Sequence, residues 1–309
     1  MKRLLYLASA SLVLSLTGGP AIADDGDDDG DDDAVDAAAA VDDGAAVGDD
    51  AASPVEPAPV AAADVAVAPA RPGLTLPAGK LNLLANLEIN VGADAVAKPV
   101  SVSPDVSYGV TDNVTVMLVH GSFNATGFRG AAGKGLCLTG TDNGCAHVYD
   151  NVGAEVLYGL ARGPFALAAN AGVHAISLDA GFYSVKVGAK LRYKAGKLLV
   201  MSTPSVYLAA THRKDDDPLT ADNVDRLWVP AVAAYAPSSA WWVGLGTGIK
   251  GPLQGFGDGW QFALGALGQY KLDASQAVGA SLIFGQVVGG GDATGADYRW
   301  LQLWYSYTL

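Results

Sequence analysis

Polar and apolar residues alternate with a period of two over most of the chain beyond Leu81. The clearest stretch is the sixth. There Tyr183, Val185, Val187, Ala189, Leu191 and Tyr193 share one face, while Ser184, Lys186, Gly188, Lys190, Arg192 and Lys194 share the other. Successive side chains of a strand point to opposite sides, so this period predicts β-strands with one apolar and one polar face. The same design recurs in Trp260, Phe262, Leu264, Ala266 and Tyr270 against Gln261, Ala263, Gly265, Gln269 and Lys271. It recurs again in Val100, Val102, Val106 and Tyr108 against Ser101, Ser103, Asp105, Ser107 and Gly109. The pattern predicts twelve strands, near 80–90, 99–110, 114–123, 148–161, 164–176, 182–194, 197–210, 224–236, 240–250, 259–271, 275–286 and 298–309. The third and seventh alternate poorly.

The connections alternate too. Those near 111–113, 162–163, 195–196, 237–239 and 272–274 are short; those at 91–98, 124–147, 211–223, 251–258 and 287–297 are longer, with 177–181 a short exception. Strands of this length, with Tyr at both ends of an apolar stripe, suit a tilted crossing of a bilayer. The expected fold is all-β: a closed, antiparallel, up-and-down transmembrane β-barrel of about twelve strands. Ten or fourteen strands, and a soluble β-sandwich, are the alternatives. An even count puts both termini on the side of the short turns, the periplasmic side.

Composition divides the chain. Met1-Lys2-Arg3, an apolar run from Leu4 to Leu16 and Ala21-Ile22-Ala23 form the pattern of a cleaved export leader over 1–23. Residues 24–50 hold thirteen Asp and no base, and a Pro/Ala/Val stretch follows to 72. Such a segment has no bulk with which to cover a core, so 24–72 reads as a disordered acidic spacer on the periplasmic side. Fifteen of the chain's 32 acids precede Gly73; beyond it 17 acids face 16 bases. The acidity therefore belongs to the spacer, and 73–309 is the barrel domain.

Two phrases carry a family resemblance. Tyr298–Leu309 alternates as Leu301, Leu303, Tyr305, Tyr307 and Leu309 against Trp300, Gln302, Trp304, Ser306 and Thr308. It resembles the C-terminal signal strand of Gram-negative outer-membrane β-barrel, porin-like proteins, with Leu309 where that family usually has Phe. Tyr108-Gly109-Val110-Thr111-Asp112-Asn113-Val114 resembles their strand–turn–strand phrase. The resemblance implies the bacterial outer membrane, contact with its lipid, and recognition of the last strand by the barrel-assembly machinery. It leaves the oligomeric state and the solute undefined.

Candidate chemistry is sparse. Cys137 and Cys145 share one loop in an oxidising compartment and are expected to form a structural disulfide. His120, His147, His174 and His212 are scattered without metal spacing, so no metal and no cofactor are expected. His120-Gly121-Ser122 is similar to the H-x-S signature of outer-membrane phospholipase A and the lipid A deacylase barrel, which would make His120 the base for Ser122. Phe123-Asn124 breaks the rest of that signature, so no catalytic residue is assigned. No basic patch with interleaved aromatics points to nucleic acid. Charge inside an apolar bilayer must face water or a partner. Glu88, Asp105, Glu155, Lys186, Lys190, Arg192, Lys250 and Arg299 are therefore the expected lumen-lining residues. The glycines Gly244, Gly246 and Gly248 would remove bulk from the same side. The basic side chains on the sixth strand suggest a preference for anions. The expected function is a narrow porin or passive diffusion channel for small solutes. The alternatives are a non-conducting structural or surface-interaction barrel and, remotely, a lipid acyl hydrolase using His120 and Ser122.

Overall fold

The computed structural model describes residues 73–92, 95–120, 131–213, 222–290 and 298–309. The leader and spacer segments lie outside them, as does Ser122. The strands are β1 (Leu81–Asn90), β2 (Val100–Thr111), β3 (Val114–Val119), β4 (Leu136–Cys137), β5 (Val152–Ala161), β6 (Phe165–Ser177) and β7 (Phe182–Ala195). They continue as β8 (Leu198–Ser202), β9 (Ser205–Ala209), β10 (Arg226–Tyr235), β11 (Trp241–Pro252), β12 (Gln261–Lys271), β13 (Gln276–Gly289) and β14 (Arg299–Thr308). All pairings are antiparallel, and β1 closes the ring by pairing with both β2 and β14. The closing register runs from Asn82↔Thr308 to Asn90↔Trp300. A closed ring leaves no unpaired edge, which is the condition for strands to cross a membrane.

The twelve expected crossings are present, with two modifications. β8 and β9 are halves of one crossing, and both pair with β7 and β10. The break falls at Thr203-Pro204, and Pro230 stands in the neighbouring strand. Neither proline has an N–H for the ladder. Ser202 partly compensates, since its hydroxyl donates to the Pro230 carbonyl at 2.6 Å. The third crossing is shorter than the sequence suggests: β3 stops at Val119. Beside the outer part of β2 its place is taken by β4, through Ser101↔Cys137 and Val102↔Leu136.

The wall reverses the usual soluble arrangement. On β7, Tyr183, Val185, Val187 and Tyr193 are exposed, whereas Ser184, Lys186, Lys190 and Arg192 are buried. Near the short turns Tyr108, Tyr158, Tyr193, Tyr235, Trp241 and Tyr270 face outward. This is the aromatic girdle of a lipid interface. Outward Thr247 satisfies itself by donating to the Ala263 carbonyl at 2.9 Å, as a hydroxyl facing hydrocarbon must.

Among the described residues, inward apolar side chains form three clusters. Leu84, Leu199, Met201, Val232, Ala234, Leu267 and Trp304, with Trp242 against them, lie toward the short-turn end. Leu74, Met117, Val119, Leu157, Ala166 and Ala168 form a second cluster on the same end of other strands. Ile176, Phe182, Tyr207 and Trp228 form the third, toward the long loops. Trp304 is bulky yet lies flat on the wall: a side chain on Gly279 would collide with its ring.

Candidate functional site in the barrel interior

Between the apolar clusters the interior is polar, and its charges are arranged in nodes. Glu88 on β1 is fully buried and accepts five hydrogen bonds. Its Oε2 takes Ser101 Oγ at 3.3 Å, Ser103 Oγ at 3.1 Å and the Ala131 N–H at 2.6 Å. Its Oε1 takes the Ala132 N–H at 3.0 Å and Gln302 Nε2 at 3.0 Å. Alternation explains why Ser101, Ser103 and Gln302 meet here: each occupies the inward parity of β2 or β14 beside inward Glu88. Ala131 and Ala132 belong to the loop between β3 and β5, so Glu88 fastens that loop inside the barrel.

The second node is on β5, β6 and β7. Glu155 receives Lys186 Nζ at 2.8 Å, His174 Nε2 at 2.9 Å and Asn170 Nδ2 at 2.8 Å. The His174 ring lies over Gly153, where any side chain would strike it. Removing one partner of such a buried pair leaves a bare charge, which costs about 3–5 kcal/mol.

The third and fourth nodes tie down the same loop. Asp105 accepts the His120 N–H at 2.7 Å and lies 3.4 Å from His120 Nδ1, while His120 Nε2 stands 2.6 Å from the Tyr149 hydroxyl. Burial and the Asp105 charge raise the Tyr149 pKa above that of an ordinary tyrosine, so its hydroxyl stays protonated. Asp150 accepts Ser177 Oγ at 2.9 Å and Lys134 Nζ at 3.3 Å. The Cys137–Cys145 disulfide is present and closes the middle of the loop.

Glu88, Asp105, Glu155, Lys186, Lys190, Arg192 and Lys250 are all buried on the inward parity of their strands. The structure unites Glu155 with Lys186 and leaves Glu88 and Asp105 in separate nodes. Arg192 reaches the carbonyls of Gly73 at 3.3 Å and Gly163 at 3.5 Å. Arg299 is the departure. It pairs with Phe284 at the outer end of β14 and has the parity of Leu301 and Leu303, opposite to Trp300 and Gln302. Its own alternation with Trp300 carries that signal.

Two contributors are not marked by any motif: Ala131 and Ala132, which act through backbone N–H groups, and the segment before β1, which brings Leu74 inside. Asn170 and His174 could have been found by inward parity on β6. His120 is buried and its two ring nitrogens face Asp105 and Tyr149. Among the described residues no group of three His, Cys, Asp or Glu could hold a metal ion.

No family model matches the chain, and no curated protein matches it. Solved structures do. The NanC porin superposes with a TM-score of 0.51 at 11% identity, over 74% of this chain and 100% of that one. The KdgM porin gives 0.47 at 9%, over 73% and 98%. An outer-membrane channel from Pseudomonas putida F1 gives 0.44 at 13%, over 76% and 97%. At such identities the NanC likeness is one of fold. The chain has the porin-like fold of outer-membrane barrels: closed, antiparallel and twelve-stranded.

Proposed function

We propose that this chain is a narrow channel of the bacterial outer membrane for small polar solutes. The observation that supports this best is the loop fastened inside the barrel by Glu88. An apolar exterior surrounds an interior of paired charges, and this loop narrows it. Charges that are only structural could sit in one node. Here Glu88, Asp105 and Glu155 anchor separate nodes on β1, β2 and β5, which suits a polar path. The leader pattern over 1–23 and the closing strand, as the element that the barrel-assembly machinery would read, fit the same assignment.

Single-channel recording in a planar bilayer tests it. The wild type should give small, discrete currents, and Glu88→Ala larger ones, because the loop loses its anchor. A correctly folded protein that never conducts would sink the channel reading. It would favour the second one, a non-conducting barrel acting through its loops, which the full burial of Glu88, Lys186 and Gln302 supports. The acyl-hydrolase reading depends on Ser122, outside the described residues, and requires His120 to exchange Tyr149 for that serine. Lipid hydrolysis lost in Ser122→Ala is its test.

A further inference from the structure

The segment Gly73–Lys80 runs back into the barrel from the short-turn end before β1 begins. Five hydrogen bonds hold it under the β2–β3 turn, one of them from the Gly109 N–H to the Lys80 carbonyl at 2.9 Å. Thr75 Oγ1 donates to the Asp112 carbonyl at 2.6 Å, and the Ala78 N–H donates to Asp112 Oδ1 at 3.0 Å. The Gly79 N–H donates to the Gly109 carbonyl at 2.8 Å, and the Leu76 N–H to Thr115 Oγ1 at 2.8 Å. Thr115 is buried on the inward face of β3, so Leu76 lies within the wall. Beyond it Leu74 packs in the cluster of Met117, Val119, Leu157, Ala166 and Ala168. The wall is shaped for this: Ala166 and Ala168 are small and fully buried beside it. Gly109 also has no room for a side chain, since a Cβ there would strike the Pro77 carbonyl.

We infer that Gly73–Leu76 is an autoinhibitory strap, a removable seal on the β2–β7 side of the short-turn mouth, which must leave for solute to pass. Three features separate a seal from a permanent part of the wall. The strap adds no strand to the sheet. Only two side chains, Leu74 and Leu76, are buried. Among the described residues its deepest polar anchor is a long bond, Arg192 Nη1 to the Gly73 carbonyl at 3.3 Å. The remaining seal on this end is the Leu84–Trp304 cluster, which belongs to the wall itself.

The inference rests on the channel reading, and one set of recordings separates the two. Full-length wild type, Leu74→Ser, Gly109→Ala and the double variant Leu76→Cys/Thr115→Cys are compared in planar bilayers, each first checked for folded gel mobility. Leu74→Ser should raise the ratio of open to closed dwell times by about tenfold or more, as expected from exposing one leucine's worth of buried surface. Gly109→Ala displaces the strap without altering it and should act in the same direction. The oxidised double variant should stay closed and regain current on reduction, with reduced wild type as the control for Cys137–Cys145. A silent wild type with conducting Leu74→Ser supports the strap as a full plug. A conducting wild type, with unchanged dwell times in Leu74→Ser and Gly109→Ala, overturns the strap and leaves the channel. Silence from every form overturns both.

Discussion

The two faces of the same strands are held by different physics, and β7 shows both. Outward, Val185 and Val187 meet an apolar surrounding that rewards bulk and asks for no particular partner. Inward, Lys186 between them is buried and depends on Glu155, 31 residues away in sequence. A lipid-facing position is therefore tolerant and nearly additive, whereas an inward position is pairwise and intolerant. The largest expected effect breaks this comparison at adjacent residues. Lys186→Met should destabilise the barrel by about 3–5 kcal/mol, because Glu155 keeps a buried charge without its cation. Val187→Ala should cost about 1–2 kcal/mol, the transfer of two methylene equivalents. Adding Glu155→Gln to Lys186→Met should recover most of the loss. Denaturant unfolding in detergent or lipid vesicles measures all four proteins. Equal losses at 186 and 187 would mean that the inner pair is not coupled.

The interior itself contains the next contrast. Its polar nodes need matched partners, but its apolar clusters need only volume. Leu157→Ala should destabilise by about 2–4 kcal/mol, mostly through the cavity it leaves. Leu157→Met should cost about 1 kcal/mol or less, as volume-conserving exchanges do. No comparable rescue exists for Lys186 without changing Glu155. A loss at Leu157→Ala well under 1 kcal/mol would show that the cluster is loose and that the mouth is not sealed there.

This asymmetry also explains what the sequence reveals. The outer face is legible because alternation alone sets it: Tyr183 to Tyr193 reads directly as a lipid stripe, and twelve crossings follow from repeating it. Inward parity is equally legible, and Glu88, Asp105, Glu155, Lys186, Lys190, Arg192 and Lys250 are buried on the parity it marks. At Arg299 charge and parity disagree, since it alternates with buried Trp300. Parity does not tell which inward residue meets which. Glu88 finds Gln302 across 214 residues and Ala131 across 43, through ring closure and loop folding that no local pattern encodes. The strap is hidden for the same reason. Leu74 and Leu76 alternate like the start of a strand, and only the small Ala166 and Ala168 on β6 explain why they turn inside. Pro204 and Pro230 are visible in the sequence, but a broken crossing needs both on neighbouring strands.

The loop anchors should fall between these extremes. Tyr149→Phe removes one partner of His120 and should cost about 1 kcal/mol, a typical net value for a hydrogen bond. It should also remove a phenol that burial and the Asp105 charge push to ionise above the usual tyrosine value. The difference in ultraviolet absorbance between wild type and Tyr149→Phe, followed in alkaline titration, isolates that group. A Tyr149 signal in the ordinary tyrosine range would contradict both its burial and the neighbouring Asp105 charge.

The smallest effect belongs to a region with neither lipid nor lumen around it. Asp273, in the exposed turn between β12 and β13, accepts the Ser275 hydroxyl at 2.8 Å and N–H at 2.7 Å. It also accepts the Gln276 N–H at 2.8 Å. The Ser275 hydroxyl and N–H hold its carboxyl below the usual aspartate pKa of 3.8. A depressed folded pKa stabilises the protein above the unfolded value, and the contribution is lost as pH falls through the folded one. Asp273→Ala should therefore be slightly less stable than wild type near neutrality. The gap should close only below about pH 4, where the wild-type carboxylate gains its proton. Because solvent screens this turn, the gap should be far smaller than at Lys186. The short link Leu272-Asp273-Ala274 is readable as a turn, since Asp caps its own backbone two residues on. A gap that persisted unchanged into acid would show that the loss came from the turn's shape and not from its charge.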